Sequence, residues 1–248
     1  MRLTRVFVDV ALAPGATVAL SEQTASHLVR VLRLREGDTC VLFNGDGLDH
    51  RARIVESGKR RTVVEVLGAE PVENESPLRI VLLQGIARGE KMDLILQKAT
   101  ELGVARIVPV ESERSEVRLD GARLARRIEH WRAVVVAACE QCGRARLPAI
   151  EAPVAIAAIG GIAHPAALRL TLDPQGEHAL PSLASRMPAD GGIAIAIGPE
   201  GGWAPRDREQ LRAAGYEGLR LGPRILRTET AGLAAIAALQ AMYGDLHV

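Results

Sequence analysis

The feature that most constrains the fold is the alternation of strand and helix patterns from residue 78 to the end of the chain. Continuous apolar runs, typical of strands buried on both faces, occur at 78–83, 106–110, 167–172 and 192–197, and a last strand ends at 219–221. Apolar side chains at helical spacing fill the intervening segments 90–102, 121–142, 205–214 and 228–243. This order predicts an α/β domain with a mostly parallel sheet.

The first 70 or so residues have a different pattern of short β-rich runs separated by turn signals. The runs lie at 4–8, 17–20, 38–43, 49–54 and 62–67, with one short helix near 25–32. Such spacing predicts a small β-barrel. The polar segment 71–77 is bracketed by prolines, so we predict two domains, residues 1–72 and residues 73–248.

Composition excludes several classes of protein. The chain has 48% hydrophobic and 25% charged residues, which excludes a disordered or low-complexity protein. Three cysteines give no disulfide framework, and no clustered metal ligands are present, so no metal is predicted. The N-terminus carries charges where a signal peptide needs an apolar core, and the apolar segment 231–241 is too short to span a bilayer. These features predict a soluble, cytoplasmic protein.

A glycine-rich loop follows the apolar run at 192–197. The sequence there is Gly198-Pro-Glu-Gly-Gly202-Trp-Ala-Pro205, at the carboxyl end of a predicted parallel strand, where open α/β sheets bind ligands. It is neither GxGxxG nor GxxxxGK[ST], which disfavours dinucleotide and triphosphate binding. The structural alternative is a tight strand–turn–helix junction.

A second loop precedes the last predicted helix. The sequence Leu219-Arg-Leu-Gly-Pro-Arg-Ile-Leu-Arg-Thr-Glu-Thr230-Ala ends a strand and starts a helix near Thr228 or Thr230, either of which can cap it. Arg227 and Glu229 occupy positions where catalytic groups often lie. The structural alternative is a capping residue beside a surface arginine.

Together these two stretches resemble the SPOUT methyltransferases, and more narrowly the bacterial 16S ribosomal RNA uridine-N3 methyltransferases (RsmE type). Shorter matches agree: Gln97-Lys-Ala-Thr-Glu-Leu-Gly103, Glu140-Gln-Cys-Gly-Arg144, Arg2-Leu-Thr-Arg5 and His27-Leu-Val-Arg-Val-Leu-Arg33. The resemblance covers nearly the whole chain.

The resemblance implies a PUA-like RNA-binding barrel and a SPOUT domain with a C-terminal trefoil knot, an exception to the rule against knotted folds. It also implies S-adenosylmethionine as cofactor, a homodimer, and a uridine of the small ribosomal subunit as substrate. The implied cofactor contacts are Leu172, Gly198, Pro199, Glu200, Gly201, Gly202, Leu221, Gly222, Ile225, Leu226, Arg227 and Thr228.

The chemistry of this reaction points to catalytic candidates. Ring nitrogen 3 of uracil must lose a proton before it attacks a methyl group, so a positioned base helps. We hypothesise that Glu200 or Glu229 accepts this proton and that Arg227 stabilises the uracil anion. The alternative is that Glu229 caps its helix and Glu200 only shapes its loop.

Arginine-rich surfaces are candidates for phosphate contacts. In the long predicted helix, one face carries Arg123, Arg126, Arg127 and His130, which indicates either RNA binding or an ordinary solvated surface. The predicted RNA-binding residues are Arg2, Arg5, His27, Arg30, Arg33, Arg123, Arg126 and Arg127.

Three rival functions stay open at this point. One is a SPOUT methyltransferase with another RNA target or methylated atom. Another is a ribosome-binding or assembly module without catalytic activity. The third is a nucleotide-binding enzyme that holds phosphate in the 198–202 loop.

Overall fold

The computed structural model describes residues 3–58, 61–115, 121–162, 167–189 and 192–246. The chain divides into two compact units. The first unit comprises Met1–Glu75 and Cys139–Leu147, and the second comprises Ser76–Ala138 and Pro148–Val248. The predicted boundary at residue 72 does not anticipate that a later segment of the chain belongs to the first unit.

The first unit contains a five-stranded sheet in the order β1-β3-β4-β5-β2. Its strands are β1 Arg5–Phe7, β2 Thr17–Ala19, β3 Thr39–Phe43, β4 Leu48–Ser57 and β5 Thr62–Pro71. β1 and β3 are parallel, and the other pairs are antiparallel. Alternate side chains such as Ala52, Ile54, Val64 and Val66 fill its core. The predicted β-rich start of the chain, with its one short helix, is confirmed.

The short helical segment of this unit has two parts. α1, Glu22–Ser26, begins after Ser21, whose hydroxyl accepts the Thr24 N–H at 3.2 Å. One wide π-helical turn, His27–Val31, follows. Arg33 then takes a left-handed conformation with φ of 59°, the only such non-glycine residue in the described ranges. These bends bury Leu28 completely and leave His27, Arg30 and Arg33 exposed.

The second unit is built on an eight-stranded parallel sheet, as predicted. Seven strands run in the order β11-β13-β10-β12-β6-β7-β8, and β9 pairs with β7. The strands are β6 Arg79–Gly85, β7 Arg106–Glu111, β8 Ala149–Ile150, β9 Val154–Ala155, β10 Leu168–Leu172, β11 His178–Ala179, β12 Gly192–Ile197 and β13 Glu217–Arg220. β8, β9 and β11 were not predicted, because strands of two residues have no measurable periodicity.

Helices cover both faces of this sheet. They are α2 Glu90–Glu101, α3 Gly121–Cys142, α4 Pro205–Ala213 and α5 Thr228–Tyr243. Ile193, Ile195 and Ile197 of β12 join one apolar cluster, whereas Ala194 and Ala196 join the other, so β12 is buried on both sides. The trefoil knot stays a prediction. Among the described helices, none combines the length and apolarity needed to span a membrane.

The segment Cys139–Leu147 brings buried polar groups into the first unit. Glu140 accepts the Phe7 N–H at 2.9 Å, and the Arg144 guanidinium bonds both oxygens of Glu75 at 3.0 and 2.5 Å. Arg5 pairs with Asp49 and donates to the Arg144 carbonyl at 3.1 Å. Arg5 is only 7% exposed, and its guanidinium is bonded within this unit, so the structure gives no support to the RNA contact, which stays a prediction.

Candidate active site

A cavity of about 520 Å³ lies in the second unit at the carboxyl ends of β10, β12 and β13. All twelve residues predicted to contact the cofactor line it. The residues that line it in addition are Lys91, Asp173, Pro174, Ile197, Trp203, Arg208, Leu219, Arg224, Glu229 and Ala231. The fold thus gathers three loops that are far apart in sequence, at the edge of the sheet where ligands of open α/β folds bind.

The loop after β12 needs its glycines for close backbone approach. Gly202 has φ of 65°, and its N–H closes the turn by donating to the Pro199 carbonyl at 2.8 Å. A Cβ on Gly198 would lie 3.1 Å from the Gly202 Cα, tighter than side chains normally tolerate. The Arg114 guanidinium donates to the Gly201 carbonyl at 2.8 Å. The glycine pattern therefore encodes a tight, backbone-lined wall.

The Glu200 carboxylate already has hydrogen-bond donors. One of its oxygens accepts the Arg88 N–H at 3.1 Å and faces the Lys91 ammonium at 3.3 Å. Burial raises the pKa of the Glu200 carboxyl, but these donors lower it more, so its pKa lies below the usual range. Glu200 is therefore a stable anion and a weak proton acceptor.

Glu229 differs from Glu200 in its hydrogen bonds. It lies in the first turn of α5 and lines the cavity. One of its carboxylate oxygens is buried and has no hydrogen-bond partner among the described residues. Because buried polar atoms are nearly always paired, this oxygen has the capacity to accept one more hydrogen bond.

The start of α5 differs from the predicted cap. Neither Thr228 nor Thr230 caps the helix: Arg227 holds the cap position, and its side chain makes no capping bond. The Arg227 carbonyl accepts the N–H groups of Thr230 and Ala231 at 2.9 and 2.7 Å. Arg227 is exposed, so its guanidinium is free to reach a ligand beside the helix N-terminus.

Two cavity residues, Lys91 and Arg208, escaped prediction because they lie on helices outside the three predicted loops. Lys91 comes from α2, and Arg208 of α4 forms an ion pair with Asp173 after β10. Trp203 is 5% exposed and donates to the Thr171 hydroxyl at 3.0 Å. The Trp203 side chain therefore packs in the apolar core.

The remaining predicted RNA contacts differ in exposure. Arg123 and Arg126 on α3 are exposed, and Arg127 is half-buried. His130, on the same face, pairs with Asp93 at 2.8 Å. Arg2 lies outside the described residues. The structure leaves an exposed cationic surface on α3, whose role in RNA binding stays a prediction.

One group of potential metal ligands occurs within the described residues. Glu177, His178 and Glu217 have ligand atoms within 4.8 Å of one another. The Glu217 carboxylate is bonded by the Arg186 guanidinium at 2.6 and 2.7 Å. The Arg186 guanidinium already neutralises the negative charge of Glu217, which a bound metal cation would need.

Two family profiles match the chain. The RNA methyltransferase domain family matches residues 74–240, and the RNA methyltransferase PUA domain family matches residues 20–67. Ribosomal RNA small subunit methyltransferase E of Buchnera aphidicola (strain Sg) is 31% identical over 99% of this chain and 98% of its own. Its counterpart in Bacillus subtilis is 27% identical over 96% of both chains.

Solved structures agree along the whole chain. Ribosomal RNA small subunit methyltransferase E from Neisseria gonorrhoeae, bound to S-adenosyl methionine, is 38% identical with a TM-score of 0.90, covering 99% of this chain and 100% of that one. A putative methyltransferase from Legionella pneumophila, in complex with the same cofactor, is 36% identical over the same shares with a TM-score of 0.92. The chain therefore belongs to the family of ribosomal RNA small subunit methyltransferase E.

Proposed function

We propose that this protein transfers the methyl group of S-adenosylmethionine to ring nitrogen 3 of a uridine in 16S ribosomal RNA of the small subunit. The observation that carries the proposal is the convergence of the three predicted loops on one cavity. The relatives named above support the cofactor and the ribosomal RNA substrate. The choice of uridine and of its nitrogen rests on the motifs of the two loops.

The residues of the cavity fit this cofactor. Its volume of about 520 Å³ lies within the range of small-molecule sites. Apolar side chains that suit a purine ring line part of the wall, namely Leu172, Ile197, Leu219, Leu221 and Leu226. Carboxylates of Glu200 and Glu229 line another part. Cationic side chains line the cavity as well, so both signs of charge are present, which suits a ligand that carries a sulfonium, an ammonium and a carboxylate group.

When bound, S-adenosylmethionine supplies an electrophilic methyl group and leaves as the neutral thioether. The protein's task is to remove the proton of uracil nitrogen 3 so that its electron pair forms the new N–C bond. Of the two carboxylates we assign this role to Glu229, because one of its oxygens has no hydrogen-bond partner among the described residues, whereas Glu200 is already bonded by Arg88 and Lys91. Glu200 stays negatively charged in its ion pair with Lys91 and contributes to the electrostatic field of the site instead.

Arg227 completes the proposed chemistry. Loss of the nitrogen proton leaves negative charge on the uracil ring and its two oxygens. The exposed Arg227 guanidinium sits at the N-terminus of α5, where the helix dipole also favours negative charge. Together they stabilise the anion until the methyl group has been transferred, after which Glu229 returns its proton to water.

The test is methyl transfer from labelled S-adenosylmethionine to small ribosomal subunits from a strain that lacks this protein. We expect one new 3-methyluridine, identified by mass spectrometry of the digested RNA. A different methylated nucleoside would overturn the proposed atom but keep the cofactor. Absence of both methylation and cofactor binding would favour a binding module without catalytic activity.

Replacing Arg123, Arg126 and Arg127 by glutamate is expected to weaken binding to small-subunit RNA about ten-fold or more. Each lost phosphate contact removes close to one unit from the slope of log affinity against log salt. The affinity and its salt dependence are measured together by filter binding or fluorescence anisotropy. Unchanged affinity and slope would show that this face of α3 is only a solvated surface.

The same proposal includes a homodimer and a cytoplasmic location. The resemblance of the C-terminal motifs supports the dimer, and a ribosomal substrate implies the compartment. Exposed apolar side chains near the end of α5, Met242 and Leu246, are available to a second copy.

A further inference from the structure

A fully buried amide lies behind the cavity. Gln84, at the end of β6, is 0% exposed. Its side-chain nitrogen donates to its neighbour's carbonyl, that of Gly85, at 2.9 Å and to the Thr228 hydroxyl at 3.0 Å. Gln84 does not line the cavity, and no motif singled it out. A buried amide that donates one hydrogen bond to the backbone and one to another side chain fixes the positions of these two groups.

Thr228 continues this chain of hydrogen bonds. Its hydroxyl donates to the Gly198 carbonyl at 2.6 Å while it accepts from Gln84. The residue is 7% exposed, and these two bonds use the donor of the hydroxyl and one of its acceptor sites. Gln84, Thr228 and Gly198 thus join the end of β6, the first residue of α5 and the loop after β12.

The backbone around these bonds is tightly packed. A Cβ on Gly85 would lie 2.6 Å from the Pro199 nitrogen and from its Cδ. Gly85 therefore lets β6 touch the base of the glycine-rich loop directly. β6 lies between β12 and β7 in the sheet, so the bonds through Thr228 connect the two loops that line the cavity to a strand inside the sheet.

We propose that Gln84 and Thr228 are positioning residues, a buried latch that holds the 198–202 loop and the start of α5 in the geometry that binds the cofactor. This inference rests on the proposed function, since it assigns the latch to the same cavity. Thr228 then acts through Gly198 rather than through a side-chain contact with the cofactor. Preorganised loops avoid the cost of ordering them at each binding event.

Thr228→Val tests the latch, because valine keeps the branched shape and removes the hydroxyl. We expect the Kd for S-adenosylhomocysteine, measured calorimetrically, to rise about ten-fold. Thr228→Ser restores the hydroxyl and is expected to bind within about two-fold of the original chain. Gln84→Met keeps volume, leaves the Thr228–Gly198 bond and is expected to raise the Kd about three-fold.

Steady-state kinetics separates positioning from mere stability. In Thr228→Val the KM for S-adenosylmethionine rises, while the KM for the small subunit stays unchanged. Thr230→Val is the matched control, because Thr230 is exposed in the same helical turn and does not line the cavity. It is expected to match the original chain in both constants.

The outcomes distinguish the two proposals. If the original chain fails to bind S-adenosylhomocysteine, the proposed function falls and the latch falls with it. If the original chain binds S-adenosylhomocysteine, and Thr228→Val and Gln84→Met bind it with the same Kd as the original chain, the latch alone is overturned. The thermal stability of the two variants does not change this conclusion. Failure of the serine variant to restore affinity would also contradict a role for the hydroxyl.

Discussion

Glu229→Gln is expected to lower the rate of methyl transfer by about 10²- to 10⁴-fold, the usual contribution of a positioned base. Glutamine keeps the size of the side chain but cannot accept the proton from uracil nitrogen 3. The buried, unpaired oxygen of Glu229 is the structural reason for choosing this residue. Single-turnover transfer to small subunits, at saturating cofactor, measures the chemical step.

The pH dependence gives this result a second readout. Without the base, uracil must ionise by itself, so the residual rate should climb steadily as pH rises into the alkaline range. Glu209→Gln, on the exposed side of α4, is the control and should leave the rate unchanged. Full turnover by Glu229→Gln, or a larger loss in Glu200→Gln, would contradict the assignment.

Asp49→Ala is expected to destabilise the protein by about 3 kcal/mol, because it leaves the buried Arg5 guanidinium without its counter-charge. The carboxylate is partly accessible, with 28% of its side chain exposed, so the lower end of the usual cost applies. For a chain of this size the loss corresponds to a fall of about 6–12 °C in the unfolding midpoint. Circular dichroism on heating measures it.

The same sheet provides a matched exposed ion pair. Glu65 on β5 pairs with Arg53 on β4 at 2.8 Å, with side chains 35% and 47% exposed. Glu65→Ala is expected to cost under about 1 kcal/mol, because water solvates both partners. Similar losses for Asp49→Ala and Glu65→Ala would show that Arg5 is not the buried charge that the structure indicates.

Sequence patterns predicted the elements that are long or strongly apolar. The bounds of α3, β12 and α5 match the predicted 121–142, 192–197 and 228–243, because each has a clear periodicity or a continuous apolar run between turn signals. The two-residue strands β8 and β9 have neither feature. They owe their conformation to pairing with β7, which a single sequence does not display.

The residues of the site also divide into those that a sequence motif marks and those that only contacts in the folded chain reveal. The glycine-rich loop and the loop before α5 were predicted to share a site because their two motifs together resemble those of a methyltransferase family, and the structure places both loops at one cavity. Gln84 escaped notice, since its importance comes from a hydroxyl 144 positions later in the chain. The ion pair of Arg5 was missed for a related reason: the sequence shows its charge, whereas Asp49, its partner, is 44 positions away. Pairings over such distances exist only in the folded chain.

The membership of Cys139–Leu147 in the first unit has a consequence for synthesis. The ribosome completes Met1–Glu75 long before it adds Glu140 and Arg144, the residues that bond to Phe7 and Glu75. Domains usually fold one after another from the N-terminus as the chain emerges. Here the N-terminal unit cannot be completed until Ser76–Ala138 of the second unit has also been translated, so its folding finishes late.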